Sequence, residues 1–204
     1  APTTIEFQGP NAYNFNFATL IRYEHAFADN HLKFGIAAEM PVVSATYGDN
    51  FKPMHQRVPD VPMYFQYAWG ANRDSHIRAS GVLRNPYMFK VSKDSNTSLL
   101  GWGVQLSGTI KVCKPVRLFM NGVYGEGITP YIQDLTGSGL DFTPNPEDPS
   151  LVRMMPMWGW QAAAQINLTR RLFVSGGYST VRVQRSHGYY TDDQYKQGQY
   201  IFGN

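Results

Sequence analysis

Charged residues are scarce in this chain, and neither sign of charge is concentrated in one stretch. Lys, Arg, Asp and Glu together make up 16% of the 204 residues, whereas an ordinary soluble domain has roughly 25%. The formal net charge is only +3, and no block rich in Lys and Arg occurs. The composition therefore argues against nucleic acid as a partner.

Long hydrophobic runs and cysteine pairs are also missing. No stretch of about 18 apolar residues occurs, so this sequence contains no transmembrane helix. The single cysteine, Cys113, cannot form an internal disulfide and does not report the redox compartment. The mean hydropathy of -0.35 is still compatible with a membrane protein, because a strand that crosses a bilayer carries apolar residues only at every second position.

Signatures of catalysis or cofactor binding are absent as well. The five histidines show no HExxH motif or other close metal-ligand spacing. Four acidic residues of one Gly- and Pro-rich segment are expected to be solvated in an external loop rather than to hold a cation. They are Asp134, Asp141, Glu147 and Asp148. The sequence therefore predicts no enzyme, no cofactor and no metal.

The segment from Leu99 to Gly125 has the clearest alternation of apolar and polar residues. The apolar positions of its first half are Leu100, Trp102, Val104, Leu106 and Ile110, and polar or small residues stand between them. After a turn at 112–115 the alternation resumes. Each half is about ten residues long, which is the length of a tilted strand that crosses a bilayer. This segment predicts an antiparallel hairpin.

The same plan of strand, turn and strand recurs along the chain. The other strands are predicted over residues 13–27, 32–40, 63–69, 76–84, 158–168 and 172–179, and a further one opens at Gln199. Short turns near residues 29, 72, 114 and 170 alternate with longer connections. The longer connections lie at about 41–62, 90–96, 126–150 and 187–197.

Alternating short turns and long loops are typical of an outer-membrane β-barrel. The sequence therefore predicts an all-β fold: an antiparallel transmembrane β-barrel of porin type, with about eight to nine strands. Residues 1–204 are expected to form a single barrel domain or a portion of one. An odd number of strands leaves an unpaired edge that lipid does not tolerate, so the chain is expected to be part of a larger barrel.

Two other interpretations stay open from the sequence. A soluble β-barrel would turn the apolar faces inward and bind a small apolar ligand, but its narrow interior would then hold several Trp and Phe side chains. An outer-membrane enzyme would need a nucleophile arrangement that the sequence does not reveal. Dependence on detergent discriminates a membrane pore from a soluble barrel.

Two short motifs resemble the mid-barrel region of the DcaP-like outer-membrane porins. The first runs from Thr4 to Asn11 (TIEFQGPN) and is followed closely by the strand that contains Ile21-Arg22-Tyr23. The second is Val58-Pro59-Asp60 directly before a strand, and the succession of hairpins is similar across most of the chain. The resemblance implies a trimeric barrel in the outer membrane of a Gram-negative bacterium, which passes small, often anionic solutes.

The polar faces of the predicted strands would line the lumen, and they are mostly basic. The candidate pore-lining and solute-binding residues are Arg22, Glu24, Lys33, Glu39, His76, Arg78, Arg84, Lys111 and Arg117. Rings of Arg or Lys favour anions, and guanidinium groups suit carboxylate or phosphate. The sequence therefore predicts passive diffusion of small hydrophilic, preferentially anionic solutes. Outer-membrane lipids are the other expected partner.

Overall fold

Nine long strands form the main sheet of this protein. The computed structural model describes residues 10–14, 16, 18–169, 171–185 and 188–204. The strands of the main sheet are β1 (Leu20–Phe27), β2 (Leu32–Glu39), β4 (Val61–Trp69), β5 (Ser75–Arg84), β8 (Gly101–Lys111), β9 (Val116–Glu126), β12 (Pro156–Asn167), β13 (Phe173–Val183) and β14 (Gln197–Gly203).

Shorter elements lie in the connections between these strands. They are the strands β3 (Phe51–Pro53), β6 (Tyr87–Lys90), β7 (Ser95–Ser98), β10 (Phe142–Pro144) and β11 (Val152–Met154), and the 3-10 helices Val91–Lys93, Thr129–Tyr131 and Gln133–Leu135. Among the described residues, no helix has the length and apolar character needed to cross a membrane.

The strands of the main sheet follow one another in chain order, and every neighbouring pair is antiparallel. β1 and β14 form the two edges, and the sheet is open. The predicted all-β, antiparallel fold with eight to nine strands is therefore confirmed. β8 and β9 also match the hairpin predicted from the alternation between Leu99 and Gly125.

The two faces of the sheet differ in character because side chains alternate along each strand. The apolar face exposes large hydrophobic side chains, and it is defined by Ile21, Phe65, Leu106, Trp160 and Ile201. The opposite face, which we name the covered face, carries polar residues in register across five neighbouring strands. They are Gln66, Arg78, Ser107, Asn121 and Gln161. Other segments of the chain pack on this covered face.

The first strand begins later than the sequence pattern suggests. A strand was expected from residue 13, but β1 starts at Leu20. Residues 11–14 leave the plane of the sheet and lie on the covered face, where Asn11 and Ala12 are buried. Phe15 and Phe17, which belong to the predicted alternation, lie outside the described residues. Of the predicted alternation 13–27, the part from residue 20 onwards forms the strand.

The short turns lie where the sequence places them. Between β1 and β2 the residues Ala28, Asp29 and Asn30 all have positive φ angles, between 50° and 64°. Asp and Asn tolerate this left-handed conformation better than most residues, which favours a tight hairpin here. The amide of His31 donates to the carbonyl of Ala28 at 2.9 Å and closes the turn.

Three of the long connections, 40–60, 85–100 and 127–155, pack together at one end of the sheet. β3 pairs with β6, and β6 pairs with β7, so a small sheet joins the connections around residues 50 and 90. β10 and β11 form a hairpin in the connection 127–155, which extends five residues beyond the predicted loop 126–150. Four buried side chains from the three connections form a common apolar cluster: Phe51, Met88, Phe142 and Met154.

Candidate functional site

The connection 127–155, which we name the folded connection, lies against the covered face of the main sheet. Ile128, Ile132 and Leu135 are buried, and they share an apolar cluster with side chains of β9, β12 and β13. Those side chains are Val123, Met157, Val181 and Val183. Gly103 of β8 leaves the room for Ile128, because a Cβ atom at this glycine would lie 3.0 Å from Ile128 Cγ2.

The segment 11–14 occupies the same face beside the folded connection. The amide of Ala12 donates to Ser179 Oγ at 3.0 Å, and Asn121 Nδ2 donates to the carbonyl of Ala12 at 3.0 Å. Asn14 Nδ2 donates in turn to the carbonyl of Tyr131 at 3.0 Å. Hydrogen bonds thus join this segment both to the sheet and to the folded connection.

Arg84, at the end of β5, joins the sheet to two long connections, 40–60 and 127–155. Its side chain is fully buried. Nε lies 2.9 Å from Asp60 Oδ2, and Nη1 lies 2.9 Å from Asp141 Oδ1. Nη1 also donates to the carbonyl of Gly127, and Nη2 donates to the carbonyl of Val42. Buried guanidinium groups are stable only when they are paired in this way.

Asp141 is the buried partner of Arg84 inside the folded connection. Its Oδ1 accepts from the amide of Thr129 at 3.0 Å and from the hydroxyl of Thr129 at 2.6 Å, while Oδ2 accepts from the amide of Ser44 at 2.9 Å. Burial raises the pKa of the Asp141 carboxyl, and the charge of Arg84 opposes this rise. The ionised carboxylate therefore depends on Arg84 and on these hydrogen bonds.

Tyr131 connects this buried group to two further carboxylates. Its hydroxyl lies 2.9 Å from Glu39 Oε2 and 3.1 Å from Asp60 Oδ2, and its ring centroid lies 5.4 Å from the guanidinium carbon of Arg84. Burial raises the pKa of Tyr131, and the charges of Asp60 and Glu39 raise it further. Burial likewise raises the pKa of Asp60, against the effect of Arg84. The tyrosine therefore stays protonated, and its single hydroxyl group donates a hydrogen bond that Glu39 and Asp60 share.

A second group of charged side chains lies further along the covered face, away from the folded connection. Arg78 donates from Nε and Nη2 to Gln66 Oε1 at 2.9 and 2.6 Å, and its guanidinium carbon lies 4.2 Å from the ring centroid of Tyr64. The hydroxyl of Tyr64 donates to Glu24, which lies 4.0 Å from Arg22. Arg78 is half-buried and Arg22 is exposed, so both guanidinium groups are accessible from the covered face.

Two cavities adjoin along the covered face and share Asn14, Arg78, Ser80 and Gln105 in their linings. One has a volume of about 250 Å³ and reaches Tyr131 and Ile128 beneath the folded connection. The other has a volume of about 310 Å³. It is lined mainly by polar side chains, which include His76, Ser107, Thr109, Asn121 and Gln161. Arg78 is thus the cation that both cavities share.

The structure places all nine candidate residues on the covered face, but it divides them into two groups. Arg84 and Glu39 are buried beneath the long connections. The remaining seven are partly or fully exposed: Arg22, Glu24, Lys33, His76, Arg78, Lys111 and Arg117. Lys111 pairs with Asp74 at 2.6 Å near a short turn. Arg78 and Arg84, which share one strand face in the sequence, have different surroundings.

Sequence reasoning missed the partners of Arg84. Asp60 was noted only as part of the motif Val58-Pro59-Asp60, and neither Tyr131 nor Thr129, which donates to Asp141, belongs to a recognisable motif. Asp141 was expected to be solvated together with its acidic neighbours, and this expectation was wrong because Asp141 is completely buried. Asp148, in the same connection, is exposed. The sequence signal for the burial of Asp141 is that both of its neighbours, Leu140 and Phe142, are apolar.

The described part of the chain contains no group of three or more His, Cys, Asp or Glu side chains that could hold a metal ion. The arrangement instead consists of fixed cations, amides and hydroxyls around two open cavities. Such groups can form hydrogen bonds and ion pairs with polar solutes.

The fold and this site define an open, porin-like antiparallel sheet. The folded connection packs on its polar, covered face. The structure is similar to the crystal structure of the outer membrane channel DcaP of Acinetobacter baumannii, with a TM-score of 0.79 and 16% sequence identity. The match covers 98% of this chain and 55% of that chain, so this chain spans about half the length of that channel. No family profile and no curated protein matches the sequence.

This likeness confirms, at the level of the fold, the resemblance inferred from the two short motifs. Most of the first motif, residues 4–9, lies outside the described residues. Asp60 of the second motif is one of the buried partners of Arg84.

Proposed function

We propose that the nine strands form part of the wall of an outer-membrane channel, through which small hydrophilic solutes diffuse with a preference for anions. The observation that carries this proposal is the covered face. It combines cationic side chains, neutral hydrogen-bonding groups and two open cavities with a folded connection that narrows the space above them. Charged side chains at a constriction set ion preference.

The balance of charge on the covered face supports the preference for anions. Glu24 is close to Arg22, and Lys111 is paired with Asp74. Lys33, Arg78 and Arg117 form no ion pair with a described carboxylate. The accessible part of this face therefore carries an excess of positive charge. We propose the seven partly or fully exposed candidates as solute-facing residues, and we propose that Arg84 and Glu39 hold the long connections in place.

The apolar face supports the membrane location. Ile21, Leu106 and Ile201 are 84%, 54% and 79% exposed, and exposed apolar surface of this extent needs a nonpolar surrounding. A soluble barrel that binds an apolar ligand would bury these side chains, whereas here they are exposed and the polar side chains lie on the opposite face. The outer membrane of a Gram-negative bacterium and a homotrimeric assembly are part of the same proposal, since the resemblance implies both.

The first prediction tests lipid contact at the centre of β8. Leu106→Arg in the full-length protein should hinder insertion into lipid vesicles, because a cation at the bilayer midplane costs about 2–4 kcal/mol on the lipid-facing side of a barrel. Thr109→Arg, on the covered face of the same strand, should insert like the wild type. The measurement is the folded fraction after dilution from urea into vesicles. Equal insertion of both variants would contradict lipid contact on the apolar face.

The second prediction tests the charge of the lumen. The full-length protein in a planar bilayer under a KCl gradient should give a reversal potential of anion-selective sign, and Arg78→Gln should move it towards zero. Lys114→Gln is the matched control, because this exposed lysine lies in the short turn between β8 and β9. The effect should be larger at low salt, where fixed charges are less screened.

The outcomes separate the parts of the proposal. A cation-selective wild type would overturn the anion preference but leave the channel. An unchanged reversal potential in the Arg78 variant would remove this residue from the conducting path. Correctly folded protein that gives no conductance would overturn the channel function.

A further inference from the structure

A basic pocket lies at the long-connection end of β12, β13 and β14, on the opposite side of the sheet from the cavities described above. Its volume is about 750 Å³. Three cationic side chains, Arg182, Arg185 and Lys196, line it together with Trp158 and Tyr190. Neither the channel proposal nor the comparison assigns a role to these residues.

The register of the strands places this pocket beside the apolar face. Trp158 pairs with Tyr124 on one side and with Arg182 on the other. Val181 and Val183 point into the core on the covered face, so Arg182, which stands between them, points to the apolar face. The side chain of Arg182 is exposed, and no hydrogen bond or ion pair joins it to another described side chain.

Aromatic side chains mark the level of this pocket. Trp102 and Tyr124 lie with ring centroids 5.7 Å apart near the long-connection ends of β8 and β9. Trp160, towards the same end of β12, lies 5.2 Å from Tyr178 at the middle of β13. Trp and Tyr rings concentrate where the hydrocarbon of a bilayer meets the headgroups. Arg182 lies in the same row as Trp158, so its guanidinium group is at the depth of the headgroups.

The other two cations lie just beyond this aromatic row. Arg185 Nη2 lies 2.6 Å from Asp192 Oδ1, and Lys196 Nζ lies 3.3 Å from the same oxygen. All three side chains are more than half exposed, so these ion pairs are weak and leave room for a further anion. The ring of Tyr190 lies 5.6 Å from the guanidinium carbon of Arg185 and supports it from one side. The three cations outnumber the carboxylates of Asp192 and the neighbouring Asp193, so the group has an excess of positive charge.

We propose that this pocket binds the phosphate groups of a lipid headgroup in the membrane leaflet at the long-connection end. The guanidinium group of arginine binds two phosphate oxygens through a pair of hydrogen bonds. Basic pockets at the ends of membrane-spanning elements bind anionic headgroups. Trp158 would contact the upper part of the acyl chains while the cations hold the phosphate. The inference rests on the proposed membrane location, but not on conduction or on ion preference.

The test uses native mass spectrometry of the full-length protein in detergent, with diphosphorylated lipid A as the probe. The triple variant Arg182→Gln, Arg185→Gln, Lys196→Gln should retain this lipid on the order of a hundredfold less well, because each cation contributes about one factor of five at a charged surface. The matched control is Lys52→Gln, Lys93→Gln, Arg153→Gln, which removes three exposed cations from other connections. This control should retain the lipid like the wild type.

Two further arms make the result specific. Asp192→Asn, which removes the competing carboxylate, should increase retention by about fivefold. Inorganic phosphate at the same concentration should not displace the lipid, because it lacks the contact with Trp158. The proposal would be overturned if the triple variant retained the lipid as well as the wild type, or if the control variant lost as much lipid as the triple variant. It would also be overturned if the wild type bound dephosphorylated lipid A equally well, or if inorganic phosphate displaced the lipid.

Conductance of the same variants separates this inference from the proposed function. If the triple variant conducts like the wild type but loses the lipid, both proposals stand. If the wild type conducts and the triple variant retains the lipid, only the lipid site fails. If the wild type binds the lipid but does not conduct, only the channel fails.

Discussion

Arg84→Met should release the folded connection from the covered face, with a loss of about 3–5 kcal/mol in the free energy that holds it there. The substitution leaves the carboxylates of Asp60 and Asp141 buried without their shared cation, and it also removes the donors to Gly127 and Val42. The measurement is hydrogen exchange of the amides of residues 127–155 in detergent, since local opening makes exchange faster.

A matched control and a compensating variant define the cause of this effect. Arg78→Met removes a cation from the same strand and should leave exchange in the folded connection unchanged, because Arg78 contacts Gln66 and Tyr64 instead. Asp60→Asn and Asp141→Asn, combined with Arg84→Met, should restore much of the protection, because no buried charge then lacks a partner. Unchanged exchange in the Arg84 variant alone would show that the guanidinium group does not anchor the connection.

Leu135→Asp should have an effect of similar size by a different route. Leu135 is completely buried in the cluster between the folded connection and the sheet, so the substitution removes apolar contact and places an unpaired carboxylate there. The cost is at least about 3 kcal/mol. The measurement is again hydrogen exchange of the folded connection, together with the single-channel conductance, which should rise as the narrowing segment leaves the covered face.

Leu151→Asp provides the control for this prediction. Leu151 lies in the same connection but is 47% exposed, so its carboxylate would stay in water and both readouts should match the wild type. The strand content measured by circular dichroism should be unchanged in both variants, because neither residue belongs to the main sheet. An equal response of the two variants would mean that the covered face does not bury the folded connection.

The folded connection also explains why acidic residues of one segment have different roles. Asp141 accepts hydrogen bonds from Thr129 and from the amide of Ser44, which is 97 residues away in the chain. Asp148 instead accepts from Ser150, two residues away, and the side-chain and backbone hydrogen bonds of Ser150 lower the pKa of Asp148. The hydrogen bond of Asp148 forms within a single turn, whereas the burial of Asp141 depends on segments that are far apart in the chain.

The sequence by itself determined the strands of the main sheet, apart from the start of β1, together with the short turns and the two faces of the sheet. Alternation has a period of two residues and depends only on neighbours in the chain, so Trp102, Val104 and Leu106 predicted the apolar face of β8 without any tertiary information. The turn at Ala28, Asp29 and Asn30 is equally local, because it depends on backbone angles that Asp and Asn adopt readily.

Only the tertiary structure decided how the covered face is filled. The alternation of residues 13–27 predicts one long strand, but residues 11–14 are held on the sheet by Ser179 and Asn121. Arg78 and Arg84 share a strand face and a residue type, yet one is half-buried beside open cavities and the other is completely buried. Burial of this kind depends on contacts between residues that are far apart in the chain. The alternation of residues within a single strand does not predict those contacts.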